Sequence, residues 1–352
     1  MHNTNDAALS GSGCWVIPTH GLRAWARILR SSGWCMGPYK DRVWTENFLH
    51  CELDASRFEI GPTRKSRPFF MLNRRAFLTA LAASPLYVAA RERGVNIKVG
   101  VCTRDFINAA KYGFDYVEPA AADIAAMSDD DFRDYSGDLL ASPLRCHALN
   151  SLIRRPDLKV VGNEVSLSAV SDYLEPCFAR CKKLGASVVV WGSAGSRNVP
   201  EGFSREKAWE QIAAYLQMAG DLARRHDLIV AIEPLRHQES NILNTGAEAH
   251  KMVRTVKHPS VRMIIDYYHM RVENEDPRIV ETAKHDIVHL HFANPHGRVW
   301  PHDLSEDDQY KKFFRYLGDI GYSGGISVEG KGSFDADGTA TRAFFREAVK
   351  LA

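Results

Sequence analysis

The stretch Val261-Arg-Met-Ile-Ile-Asp-Tyr-Tyr-His269 decides how this chain is read. A short apolar run ends abruptly in an aspartate and, three residues later, a histidine. A strand that is apolar on almost every residue is covered on both faces, as in parallel sheets flanked by helices. Ligand chemistry confined to the C-terminal end of such a strand marks the side where parallel α/β folds build their sites. The same layout recurs on either side of it. Leu228-Ile-Val-Ala-Ile-Glu-Pro234 ends in Glu233, Ile287-Val-His-Leu-His-Phe292 carries His289 and His291, and Gly325-Ile-Ser-Val-Glu329 ends in Glu329.

Working outward, further strand-like runs lie at Ile97–Cys102, Phe114–Pro119, Leu144–Asn150 and Ser187–Gly192, which brings the total to eight. Helical patterns fill the intervals, among them Val165–Leu184, Ser204–His226, Gly246–Val256 and Asp307–Gly318, with Gly185 and Gly321 placed where helices should stop. Eight strand–helix units within residues 94–352 predict an α/β fold, a closed (β/α)₈ TIM barrel. A doubly wound open sheet is the runner-up, but no Gly-x-Gly-x-x-Gly follows the first strand to bind a dinucleotide.

Composition excludes several classes. The chain has 352 residues, 45% hydrophobic and 25% charged, with a net charge of +2. Those proportions belong to globular chains rather than disordered or fibrous ones. The near-zero charge gives no basis for nucleic-acid binding, and no apolar run is long enough to span a membrane. Residues 1–70 differ from the rest. They hold four of the seven tryptophans and three of the seven cysteines, lack convincing periodicity, and are expected to be a poorly ordered extension. Residues 71–93 begin Met71-Leu-Asn-Arg-Arg-Ala-Phe-Leu, then run weakly apolar to Ala90. This segment resembles a twin-arginine export signal, with Arg74 and Arg75 as the receptor-read pair. If Met71 is the true start, the mature barrel is periplasmic or otherwise exported; if not, it is cytoplasmic.

Four consecutive strands that each present a carboxylate or imidazole at one height would repel one another without a compensating cation. Three carboxylates and one imidazole suit a hard or borderline divalent ion. Mn²⁺ comes first, followed by Mg²⁺ and Co²⁺, with Zn²⁺ last. The ligand set read this way is Glu233, Asp266, His291 and Glu329. Of His289 and His291, one is expected to enter the barrel and the other to pack toward the helices. Trp191, Tyr267, Tyr268 and Trp300 are expected to pack around the barrel mouth, and Cys177 and Cys181 to be small core residues of one helix.

These motifs resemble the xylose-isomerase-like superfamily of TIM-barrel sugar phosphate isomerases and epimerases. Within it, the closest in motif are ketose 3-epimerases and hydroxypyruvate isomerase. Glu233-Pro-Leu-Arg-His-Gln-Glu239 matches a ligand glutamate followed by a substrate-binding glutamate. Asp266-Tyr-Tyr-His269-Met matches Asp-x-x-His-Met, His289-Leu-His291 matches His-x-His, and Val328-Glu329-Gly matches the closing glutamate. The run Trp191-Gly-Ser-Ala-Gly-Ser-Arg197 also looks like a loop found in the family. The resemblance implies a catalytic pair, Glu233 and Glu329, and substrate contacts from Glu239 and His269, with Arg298 completing the clamp. Here the sequence departs from the epimerase pattern, because Gly297 occupies the family's arginine position and Ala293-Asn294 replaces its Gly-Glu.

The implied activity is that of a divalent-metal-dependent isomerase or epimerase. It would act on a free ketose or related keto-sugar by removing the proton next to the carbonyl through an enediolate. The same enediolate could expel a β-hydroxyl, so a lyase acting on a keto-sugar, inosose or 3-oxo-glycoside is the alternative. No basic phosphate cradle stands out in the sequence. An apurinic endonuclease shares the barrel but needs about nine ligands for three metals, and His147 and Glu118 add only two candidates. A non-catalytic sugar-binding barrel would have lost one of the carboxylate pair. Related barrels commonly form homo-dimers or homo-tetramers.

Overall fold

In the computed structural model, which describes residues 95–352, eight short parallel strands alternate with helices. The extension and the signal-like segment expected over residues 1–93 lie outside the described residues. The strands are β1 (Lys98–Val101), β2 (Tyr116–Val117), β3 (Ala148–Leu149), β4 (Val188–Trp191), β5 (Ile229–Ile232), β6 (Val261–Asp266), β7 (Ile287–Phe292) and β8 (Gly325–Val328). Each falls within one of the eight apolar runs; β7 matches its run residue for residue and the others are shorter.

The order around the sheet is β2-β1-β8-β7-β6-β5-β4-β3, every pair parallel. The remaining seam, between β2 and β3, is closed by bridges Val117–Cys146 and Ala120–Asn150, with Asn150 N–H donating to the Pro119 carbonyl at 3.1 Å. The nearly closed sheet is therefore the (β/α)₈ barrel expected, and the open doubly wound sheet is excluded.

The helices are α1 (Phe106–Lys111), α2 (Ala121–Ala126), α3 (Asp129–Ala141), α4 (Leu167–Lys183), α5 (Ala194–Arg197), α6 (Arg205–Arg225), α7 (Gly246–Val256), α8 (Tyr267–Val272), α9 (Ile279–Thr282), α10 (Tyr310–Asp319) and α11 (Phe334–Ala348). Hydroxyl caps set several starts: Ser166, Ser204, Thr245 and Ser333 each accept the N–H three residues on. Gly185 and Gly321 end α4 and α10 with φ of +91° and +65°, where other residues are strained. α10 begins three residues later than its apolar period predicts. The Asp307 carboxylate accepts from Gln309 N–H at 2.9 Å, making a local turn that competes with helix, and also binds Arg271 and the Tyr267 hydroxyl.

Strand alternation divides the core in two. Val99, Val101, Val189, Trp191, Val230, Ile232, Met263, Ile265, Leu290, Phe292, Ile326 and Val328 face the helices and belong to the main apolar core, as do Cys177 and Cys181 of α4. The barrel interior is lined by a much smaller apolar group, Ala148, Val188, Val190, Ala231 and Ile264. Beyond that group, the same parity carries Glu118, Glu233, Asp266, His289, His291 and Glu329 inward.

His289 and His291 correct one expectation. Residues two apart in a strand share a face, so neither histidine turns toward the helices, and both are fully buried inside the barrel. A bulge sets their phase: Met263 pairs with Ile287 but Ile264 with His289, which leaves Val288 as the extra residue. From there Asp266 aligns with His291 across the β6–β7 pair.

The narrow interior depends on glycine at position 100. A Cβ there would overlap the ring of Tyr116, which is 2% exposed and tied by its hydroxyl to Ser327 Oγ at 2.8 Å. Gly100→Ala is expected to lower stability by about 1–3 kcal/mol through overpacking. Urea unfolding checks this, and a midpoint equal to the parent's would show that the ring yields without strain.

Candidate metal centre

Each of the last four strands delivers one side chain to a single point. Donor atoms of Glu233, Asp266, His291 and Glu329 all lie within 4.8 Å of one another. The structure thus brings together all four residues of the expected ligand set, from β6, β7 and the positions just after β5 and β8.

Each member is held by its own local device. Glu233 follows β5, and its carbonyl accepts from the buried guanidinium of Arg197 at 2.8 Å. Its carboxylate occupies space that exists only because residue 192 is glycine, since a Cβ there would overlap Glu233 Oε2. Asp266 caps α8, with Oδ1 accepting from Tyr268 N–H at 2.7 Å and His269 N–H at 3.3 Å. The cap spends one oxygen and aims the other, Oδ2, into the cluster, buried and without a hydrogen-bond partner. An orphaned buried carboxylate oxygen is costly unless a cation faces it, so the donor set fits a divalent ion.

His291 is gripped from both ring nitrogens. Nδ1 lies 3.0 Å from Glu233 Oε1 and 3.5 Å from Glu329 Oε2, while Nε2 lies 2.9 Å from Glu118 Oε1. Glu118 is fully buried after β2, and its other oxygen meets His289 Nε2 at 2.8 Å. With Glu118 accepting the Nε2 proton, Nδ1 is the nitrogen left to face an ion, the arrangement in which a carboxylate orients a ligating histidine. Glu118 was legible as another carboxylate ending a strand, but it serves as the histidines' acceptor rather than as a ligand of the four-residue cluster.

The titration of the group follows from crowding. Burial would raise the Glu118 pKa, but His291 and His289 outweigh it and hold the carboxyl well below its ordinary range. Burial works against protonation of His291, yet Glu118, Glu329 and Glu233 push its pKa well above the ordinary imidazole value. Glu233 is raised by burial and by the charges of Glu329 and Asp266. Glu329 resists its burial because His291 and Arg298 draw it down to about 2. Glu233 is thus the member of the set whose charge the fold compensates least.

The expected substrate contacts border the same point. His269 is fully buried on α8; Nδ1 accepts from Arg236 N–H at 3.3 Å, leaving Nε2 3.5 Å from Asp266 Oδ2 and 4.0 Å from Glu239 Oε2. Arg298 donates to Glu329 Oε2 at 2.9 Å and Glu239 Oε1 at 3.1 Å, with its guanidinium 5.0 Å from the Tyr268 ring centre. Arg298 adopts φ of +54°, a backbone state that turns it back over the site. Glu233, Glu239, Arg298 and Glu329 border one cavity of about 600 Å³.

The aromatic residues follow the packing expectation. Trp191 packs on Tyr215, Tyr267 on Phe292 and Trp300 on Phe334, while Tyr268 alone lies beneath both Arg236 and Arg298. His147 sits against Tyr116 and His289, away from the four-residue cluster. The other group of described residues able to hold an ion, Cys102, Glu118 and His291, shares His291 with the first. Sequence reading assigned no role to Cys102, and none to Gly192 and Arg197 beyond membership of the family-like loop. Gly192 and Cys102 sit at strand C-termini on the inward parity, a signal that was available; the inward path of Arg197 from α5 was not.

Glu118→Gln and Gly192→Ala should each weaken Mn²⁺ binding about 10–100-fold while leaving the far-ultraviolet circular dichroism unchanged. Calorimetric titration of the metal-stripped protein measures this, and parental affinity in both variants would separate these residues from the ion.

The model of the family described as xylose isomerase-like TIM barrel matches residues 106–347. An L-ribulose 3-epimerase of Methylomonas sp. (strain DH-1) is 28% identical over 63% of this chain and 75% of its own. An inosose isomerase of Bacillus licheniformis is 25% identical over 64% of this chain and 82% of its own. Among solved structures, 3-keto-D-glucoside 4-epimerase from E. coli superposes with a TM-score of 0.60 at 17% identity, covering 72% of this chain and 99% of that one. With a family model spanning more than half of its length and a barrel built on the same plan, the chain belongs to the xylose isomerase-like TIM barrel family.

Proposed function

We propose that this protein is a divalent-metal-dependent isomerase or epimerase of a keto-sugar, moving a proton at the carbon next to the carbonyl. The observation that carries the reading is the convergence of Glu233, Asp266, His291 and Glu329 within 4.8 Å at the edge of an open cavity. Curated relatives named as an L-ribulose 3-epimerase and an inosose isomerase support it at the level of reaction class. The donor set favours Mn²⁺, with Mg²⁺ and Co²⁺ as alternatives and Zn²⁺ the least suited. Such an ion, when bound, polarises a carbonyl and acidifies the adjacent C–H bond.

The rest is work for side chains. Glu233 and Glu329 stand at β5 and β8, which are separated in the sheet by β6 and β7, so they reach the cluster from different sides. Two carboxylates so placed can remove a proton from one face of a carbon and return one to the other, which inverts the centre. His269 presents Nε2 toward the cluster and can donate to a substrate oxygen, since Nδ1 already accepts from the backbone. Glu239 and Arg298 form the rim that holds further hydroxyls. Export by the twin-arginine route, read from Arg74 and Arg75, is part of the proposal, and the N-terminus of the mature native protein tests it.

The decisive experiment is incubation with Mn²⁺ in D₂O against free ketoses and 3-oxo-glycosides. Deuterium should enter at the carbon next to the carbonyl, and chelation with EDTA should abolish the exchange. Loss of a β-substituent would instead mark elimination. At saturating metal, Glu233→Gln and Glu329→Gln should each slow exchange by about 10²–10⁴-fold. Full exchange in either variant would remove that residue from the acid–base pair.

A further inference from the structure

The cavity beside the metal centre has a second wall of opposite character. Arg154, Arg155 and Lys159, from the connection between β3 and α4, line it together with Arg298, Glu233, Glu239 and Glu329. Four cations therefore face three carboxylates around one space. Both Glu239 and Glu329 are already engaged by Arg298, and among the described residues the acidic partners of the 154–159 wall, Asp123 for Arg154 and Asp157 for Arg155, lie outside the cavity lining.

The wall is built rather than draped. Ile153 N–H donates to Ser193 Oγ at 2.9 Å and Val160 N–H to the Ser196 carbonyl at 2.8 Å, pinning one end of the segment to the β4–α5 connection and the other to α5. Leu152, Ile153, Leu158 and Val160 are buried beneath it. Arg154 pairs with Asp123 at 3.0 Å, and Arg155 forks onto Asp157, which orients both guanidinium planes. Lys159 has no carboxylate partner among the described residues, and its Nζ donates to the Gly195 carbonyl at 2.8 Å. A half-buried ammonium satisfied by one backbone oxygen keeps donors for a ligand. The floor between the walls is left open at Gly195, where a Cβ would meet nothing within 4 Å.

We propose that Arg155 and Lys159, with Arg154 beside them, form an anion subsite that holds a carboxylate or phosphate on the keto-sugar, at the end away from the reacting carbon. This rests on the keto-sugar reading above and adds to it a substrate class, an acidic rather than a neutral sugar. A divalent ion held by the carboxylate cluster would offset the charges of Glu233, Asp266 and Glu329, so that less negative charge would oppose an anion at the cationic wall. Guanidinium and ammonium groups serve such an anion through charge-assisted hydrogen bonds. The three cations lie within six residues of sequence, but only the barrel turns them onto the same cavity as Glu233 and Glu329.

The test uses the full chain loaded with Mn²⁺ and three polyols without a carbonyl, so that no turnover is needed: D-sorbitol, D-sorbitol 6-phosphate and D-gluconate. At least one anionic polyol should bind tenfold or more tightly than D-sorbitol, and which one it is separates a phosphate from a carboxylate substrate. The gap should close in Arg155→Ala/Lys159→Ala and shrink in Lys159→Glu, with D-sorbitol affinity and thermal unfolding unchanged. Equal affinity for all three polyols in the parent overturns the subsite. So does a gap that survives in both variants, since the anion then sits on the metal. Binding of an anionic polyol with no deuterium exchange against keto-sugars of either kind, neutral or carrying a carboxylate or phosphate, would instead defeat the proposed reaction and leave the subsite standing.

Discussion

Buried negative charge governs this structure. Glu118, Glu233, Asp266 and Glu329 are gathered at one end of a barrel, three of them almost without solvent contact. Removing each carboxylate from water carries a penalty of several kcal/mol, which only counter-charge and hydrogen bonds can offset. The fold answers locally: Glu118 binds two imidazoles, Asp266 Oδ1 takes two backbone N–H groups, and Glu329 takes Arg298. What stays unanswered is Asp266 Oδ2 and the shared edge of Glu233 and Glu329. That deficit is one that a divalent ion among these donors would fill.

The surrounding architecture makes the deficit tolerable and useful. The apolar bulk of the protein lies between sheet and helices, where Val, Ile, Leu and Phe side chains stabilise the barrel without entering it. Inside, small residues leave room for polar groups, with Gly100 admitting the Tyr116 ring and Gly192 admitting the Glu233 carboxylate. The bulge at Val288 is a second adjustment, since it sets which β7 residue stands opposite Asp266. Arg197 is a third. It is fully buried against Trp191 and satisfied by main-chain carbonyls, so it ties the ends of β4 and β5 to the loop carrying Ser240 and Leu243.

Charge then grades outward from the cluster. Arg298 closes over Glu329 and Glu239, and on another wall of the same cavity the 154–159 segment supplies cations fastened to the β4–α5 connection. A ligand spanning that space would meet Glu233 and Glu329 at one end and the cations of the 154–159 wall at the other.

Much of this was legible in the amino-acid order. A period of two identifies which strand positions face inward, near-continuous apolar runs identify parallel strands, and the terminal residues of Ala231-Ile-Glu233 and Ile264-Ile-Asp266 announce the cluster. The two histidines of β7 illustrate how that rule is misapplied, because residues two apart share a face. Other features depended on tertiary structure, since they join distant segments: Gly192 matters only because Glu233 is its neighbour across β4 and β5, and Glu118 only because β2 and β7 face each other across the barrel. The sequence by itself determined the fold and the end of the barrel at which Glu233, Asp266, Glu329 and a histidine of the seventh strand are presented, because strand period and burial are local properties. Only the folded chain decided which histidine nitrogen faces the cluster, which oxygen is orphaned and which cations share the cavity, because those depend on distances between residues far apart in the chain.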